Sequence, residues 1–152
     1  MDINKVFNIL GEDSREQDEI REEIGNFTNS PYYRMGMYKK LLSSKNHYMK
    51  GIYISLNMGG IINAGGNIEL EDEEKMMKFA EYLLYTRAFK YIEDCDFNKL
   101  WVKEIKFISD LSFLELVQKA ILIHEKHEEY EKCAHLVKIS NIVREKLGEG
   151  KK

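Results

Sequence analysis

Residues 51–64 read GIYISLNMGGIINA, and the period assigned to this stretch decides whether the chain is all-helical or mixed. Ile52, Ile54, Leu56 and Met58 alternate with Tyr53, Ser55 and Asn57, the two-residue period that a half-buried strand requires. Gly59-Gly60 has the composition of a tight hairpin turn, and Ile61 to Ala64 then returns before Gly65-Gly66. The alternation predicts a small β-hairpin near 51–64, with a helix continuing through residue 58 as the rival reading.

On both sides of this stretch the period is helical. Ser30 followed by Pro31 marks a helix start, because proline is preorganised for the first helical position. Tyr33, Met37 and Leu41 then recur at four-residue steps, and SSKNH ends the pattern. Downstream, Glu71 to Glu74 are placed where negative charge favours a helix N-terminus, and a helix from about 72 to 92 follows. Its second half, FAEYLLYTRAFKYI, is apolar or aromatic almost all round. Phe97, Trp101, Ile105 and Ile108 give the next helix. Ser112 and Glu115 have capping-box spacing inside a Leu111–Leu116 staple, predicting a helix to about His124. After the polar break HEKHEE, a last helix spans Tyr130 to Leu147 and is closed by Gly148.

The N-terminal residues 1–30 read as an acidic, loosely packed arm. Asp2 caps a short helix with Ile3, Val6, Phe7 and Leu10, ended by Gly11. Ser14 and Gln17 open a second, very acidic helix anchored by Ile20 and Ile24. The fold expected is therefore mainly α: a single-domain helical bundle over 1–148 with a small β-hairpin near 51–64, followed by a tail at 149–152.

Composition agrees with one domain. The 152 residues are enough to bury a core without disulfide or metal support. Pro31 is the only proline, so little interrupts long helices. Cys95 and Cys133 are too few for a secreted disulfide framework and read as buried or half-buried free thiols. No apolar run approaches a membrane span and the first residues do not resemble a signal peptide, so a cytoplasmic address and no membrane partner are expected. Lysine outnumbers arginine 18 to 5, and Ile, Asn, Tyr and Phe are plentiful, a bias that often reflects AT-rich genomes such as those of many phages; it bears on origin alone, and a phage accessory factor is one form of the function expected below.

The net charge of −3 conceals a segregation by sign. Residues 1–30 hold eight acids and three bases, whereas residues 31–66 hold five bases and no acid. Such asymmetry says which partners a surface attracts. Arg34, Tyr38, Lys39, Lys40, Lys45, Tyr48 and Lys50 combine cations with aromatic rings, as single-stranded nucleic acid requires for its backbone and bases. A competing expectation is that the acidic arm lies on this basic face, within the chain or between copies.

The run EEYEKCAHL at 128–136 resembles the UVR motif of bacterial excision-repair proteins, an antiparallel helical pair used for docking to other proteins. Glu129, Tyr130, Glu131, Cys133, Ala134 and Leu136 match its acidic residue, aromatic, glutamate, small pair and leucine. His135 and Lys138 stand where the motif has an arginine and an aspartate. The resemblance covers roughly 115–147 and implies a helical hairpin that docks on a protein, with no repair activity attached to it.

Catalytic chemistry finds little support. His124, His127, Cys133 and His135 cluster in sequence, but HEKH is one residue short of the spacing that lets two imidazoles on one helix share a zinc ion. No metal or other cofactor is expected there. GGIINAGGN lacks the lysine and Ser/Thr of a phosphate loop, and no nucleophile elbow is present. The function expected is thus a non-catalytic interaction or adaptor protein that docks on a protein partner or on itself. Its docking surface is assigned to Met76, Met77, Tyr82, Tyr85, Phe89 and Tyr91. Nucleic-acid binding through segment 31–53 is the alternative.

Overall fold

The computed structural model describes residues 14–64 and 70–149, and its secondary structure there is helical throughout. The elements are α1 (Ser14–Thr28), α2 (Pro31–Ser43), α3 (Lys45–Ala64), α4 (Leu70–Ile92), α5 (Lys99–Ile108), α6 (Leu111–Lys126) and α7 (Tyr130–Glu149). The short helix expected at 2–11 and the Gly65-Gly66 turn lie outside the described residues, as does the tail beyond Glu149.

Two helical hairpins, α3–α4 and α6–α7, are joined through α2, which packs against α4, α5 and α6. Tyr38 and Met35 of α2 are fully buried with Leu84, Tyr85 and Ile92 of α4. Phe113 and Val117 of α6 and Leu136, Ile139 and Val143 of α7 close the same core. Apolar side chains at helical spacing on α2 to α7 meet in this one cluster, which is how the bundle removes their stripes from water.

Residues 51–64 do not form a β-hairpin. They continue α3 without a break, and no strand occurs among the described residues. An isolated two-stranded hairpin buries too little to stand alone, whereas a helix can lay one face along α4 for most of its length. Met49 and Ile52, three residues apart, make that contact with the core. The Ser55 hydroxyl donates to the Gly51 carbonyl one turn back at 3.0 Å, a bond that exists only on a helix.

Caps set the remaining boundaries. Ser30 caps α2 as its sequence requires, its hydroxyl accepting the Tyr33 N–H at 3.2 Å. The start of α6 differs from expectation: Asp110, two residues before Ser112, is the cap and accepts the Phe113 N–H at 2.6 Å. Ser112 is exposed within the first turn, so the capping box is not used. At the other end of α6, Glu128 adopts the left-handed conformation at φ 58°, and Glu129 N–H returns to the His124 carbonyl at 2.9 Å, a Schellman closure made without glycine.

Candidate functional site

Between α3 and α4 lies a groove of about 920 Å³, open to solvent. Ile52, Ile54, Leu56 and Leu83 supply its apolar surface, and Gly51 and Ser55 keep part of the α3 wall low. Lys50 and His47 stand on the α3 side, with Arg87 and Lys90 on the α4 side. No carboxylate lines it among the described residues. Leu83, Arg87 and Lys90 fall at i, i+4 and i+7, so one face of α4 presents an apolar foot followed by two cations. Lys50, Arg87 and Lys90 make no ion pair among the described residues, and all three are exposed. The Thr86 hydroxyl oxygen also borders the groove, shielded from water and without a hydrogen-bond partner among the described residues.

The docking residues assigned on α4 separate into two sets. Tyr85 and Phe89 are core residues, 1% and 7% exposed, and cannot form a surface in this fold. Helical spacing explains the correction: they share a face with Leu84, Ala88 and Ile92 that points at α2 and α6. Tyr82 is half-buried with its ring 3.9 Å from that of His127, and Tyr91 meets the edge of Tyr33. Met76 is half-buried and Met77 exposed. Exposed Phe79 and the groove residues Leu83, Arg87 and Lys90 lie on the same helix but were not singled out by composition. The signal for them was the i, i+4, i+7 spacing on a helix otherwise read as uniformly apolar.

The basic segment is likewise divided. Tyr38 is a core residue, so it offers no face to a base while the bundle is folded. Lys39 binds the Ile108 carbonyl at 3.0 Å and Asp110 at 3.2 Å. Lys45 pairs with Glu81, and Arg34 with Asn29, the Tyr91 carbonyl and Asp94. Lys40 and Lys50 remain exposed, and Tyr48 borders the groove half-buried. Three of the five cations on this segment therefore tie helices together, and Lys50 belongs to the groove.

The histidines at the α6–α7 turn also have structural work. His124 is 1% exposed, with Nδ1 3.1 Å from Glu129 Oε1, while Lys132 holds the other carboxylate oxygen at 2.6 Å. Burial pushes the His124 imidazole below the ordinary histidine range, so the ring is neutral and Nδ1–H donates to Glu129. His135 Nε2 lies 2.8 Å from the Ile92 carbonyl, and its ring packs between Phe89 and Phe97. Cys133 lies with Sγ 3.5 Å from the Ile121 carbonyl. No group of three or more His, Cys, Asp or Glu side chains is gathered for a metal among the described residues. Burial raises both thiols, Cys95 and Cys133, above the ordinary cysteine range, which lowers the fraction present as reactive thiolate.

No helix among the described residues is long and apolar enough to cross a membrane. Compared with known protein families, curated proteins and solved structures, the chain shows no significant match.

Proposed function

We propose that this chain is a non-catalytic interaction protein that receives a helix of a protein partner in the groove between α3 and α4. The observation that carries this reading is the coincidence of an apolar lining with a rim of Lys50, Arg87 and Lys90 and no lining carboxylate among the described residues. Amphipathic helices bind such grooves through anchors one turn apart. Cations at the rim favour a helix flanked by acids and speed its encounter. The α3 wall runs over residues 47–56, about 14 Å at 1.5 Å per residue, which matches two to three turns of a bound helix.

A photo-crosslinking residue at position 54 tests the reading in extracts of the native host. The expected product is a discrete adduct whose partner, once identified and purified, binds the wild-type chain and loses affinity for an Arg87→Glu, Lys90→Glu variant. Equal binding to both forms would reject the groove as the docking site.

A further inference from the structure

The chain carries a helix of the kind the groove is built to receive. On α1, Ile20, Ile24 and Phe27 fall at i, i+4 and i+7 and are 37%, 58% and 53% exposed. Glu16 and Glu23 lie beside that stripe, one turn before Ile20 and three residues after it, with Glu19 adjoining. All three carboxylates are exposed, and none is ion-paired among the described residues. Ile20 and Ile24, flanked by acids, thus stand exposed among the described residues, with Phe27 at the base of the stripe against Tyr32 and Tyr33, on a chain whose groove is an apolar trough flanked by cations.

We propose that the groove is filled by α1 of a second copy of this chain, so that two copies exchange their acidic helices reciprocally. This rests on the groove reading above and names its occupant. Within one chain α1 does not line the groove, and the turn that would have to swing is pinned. Asn29 N–H donates to the Gly25 carbonyl at 3.0 Å, Ser30 N–H to the Phe27 carbonyl at 3.0 Å, and Arg34 to the Asn29 side chain at 3.0 Å. Phe27 is held against Tyr33 at 5.5 Å between ring centroids. The earlier part of α1, around Ile20 and Ile24, takes no part in the core of its own bundle. Lys90 borders both the groove and the depression beside Thr28 and Asn29, so the base of α1 and one end of the groove are neighbours. A two-fold axis near that point uses the contact twice. Reciprocity matters because one short helix covers little of the ~1,600 Å² of a specific interface, and an isologous pair doubles it.

Charge reversal on the full chain tests the pairing by sedimentation equilibrium. Wild type is expected at twice the mass of one chain, dissociating as salt rises from about 0.05 to about 0.5 M and screens the rim. Lys50→Glu, Arg87→Glu, Lys90→Glu in one chain is expected to give monomers, as is Glu16→Lys, Glu19→Lys, Glu23→Lys in another. Mixed in equal amounts, the two variants become complementary at both contacts and are expected to form a heterodimer, which misfolding of either would prevent. Unchanged far-ultraviolet circular dichroism checks that each is folded. Monomeric wild type at high concentration, or a groove-reversed chain that still dimerises, would overturn the proposal. A monomeric wild type that nevertheless binds another protein through Arg87 and Lys90 would overturn self-pairing and leave the groove reading standing.

Discussion

Lys39 of α2 reaches across to Asp110, Nζ 3.2 Å from Oδ2, while the other oxygen of the same carboxylate caps α6 by accepting the Phe113 N–H. One acid therefore starts a helix and fixes it to its neighbour. The Phe113 N–H, assisted by Lys39, holds the Asp110 carboxyl below its ordinary range.

Asp110→Ala is expected to cost about 0.5 to 2 kcal/mol in urea unfolding, the usual loss for an N-cap. Asp110→Asn should recover most of it, because the amide oxygen still accepts the Phe113 N–H while the exposed ion pair contributes little. Equal losses in the two variants would mean that charge, not capping, is the main contribution. Lys39→Met should lower stability slightly, since Lys39 serves the fold.

Stability is expected to fall on mild acidification, through His124. Its imidazole titrates lower in the folded chain than the ordinary value of 6.5, because burial disfavours the charged form. The unfolded chain therefore takes up the proton first. The contribution is complete above 6.5 and declines as pH drops toward the folded-state value. Glu129, held below its ordinary range by Lys132 and His124 against the opposing effect of burial, adds a second loss below 4.5. His124→Asn keeps a donor for Glu129 and removes the titration, so its unfolding midpoint should vary less between pH 7 and about 5. A wild-type midpoint flat across that range would contradict the assignment.

Most helices were legible in the sequence because their stripes and caps agree. Ser30-Pro31 and the α6–α7 apolar pattern read directly into α2 and the second hairpin. The error at 51–64 has an identifiable cause. Ile52 packs on the core while Ile54 is 48% exposed in the groove wall, and together they imitate a two-residue period. An exposed isoleucine breaks the pattern that burial in the bundle alone would write. Asp110 was missed because Ser112 and Glu115 offer the capping-box spacing two residues later, whereas Asp110 has Phe113 rather than Glu or Gln at its own third position. The cations of the groove were obscured for a similar reason: Lys50 belongs to the basic segment, whereas Arg87 and Lys90 sit within a stretch that is net acidic.

The Tyr38 hydroxyl is buried without a hydrogen-bond partner among the described residues, while its ring packs edge-on against Phe113 at 6.3 Å. Tyr38→Phe should therefore leave stability unchanged or raise it by about 1 kcal/mol, since an unsatisfied buried group is removed. Tyr38→Ala should cost about 3 to 5 kcal/mol through the cavity left behind. A loss in the Tyr38→Phe variant, measured by thermal or urea unfolding, would reveal a partner for the hydroxyl. Any weakening of oligonucleotide binding in Tyr38→Ala would have to be separated from this unfolding before it was read as lost base stacking.

Gly36 and Gly51 form a matched pair for separating the fold from the groove. Both lie inside helices, α2 and α3, both are exposed, and a Cβ at either would meet nothing within 4 Å. Glycine inside a helix costs roughly 0.5 to 1 kcal/mol relative to alanine, so each Gly→Ala change should raise stability by about that amount. Their surroundings differ: Gly51 borders the groove, and Gly36 does not line it. The added methyl at 51 narrows the channel where a docked helix would approach the α3 backbone. Gly51→Ala is therefore expected to raise the unfolding midpoint while weakening docking, whereas Gly36→Ala raises the midpoint and leaves docking intact. Parallel thermal melts and sedimentation of the two variants provide the comparison. Equal docking by both would place the contact away from the Gly51 wall, and a drop in stability at Gly51→Ala would contradict the open helical environment of α3.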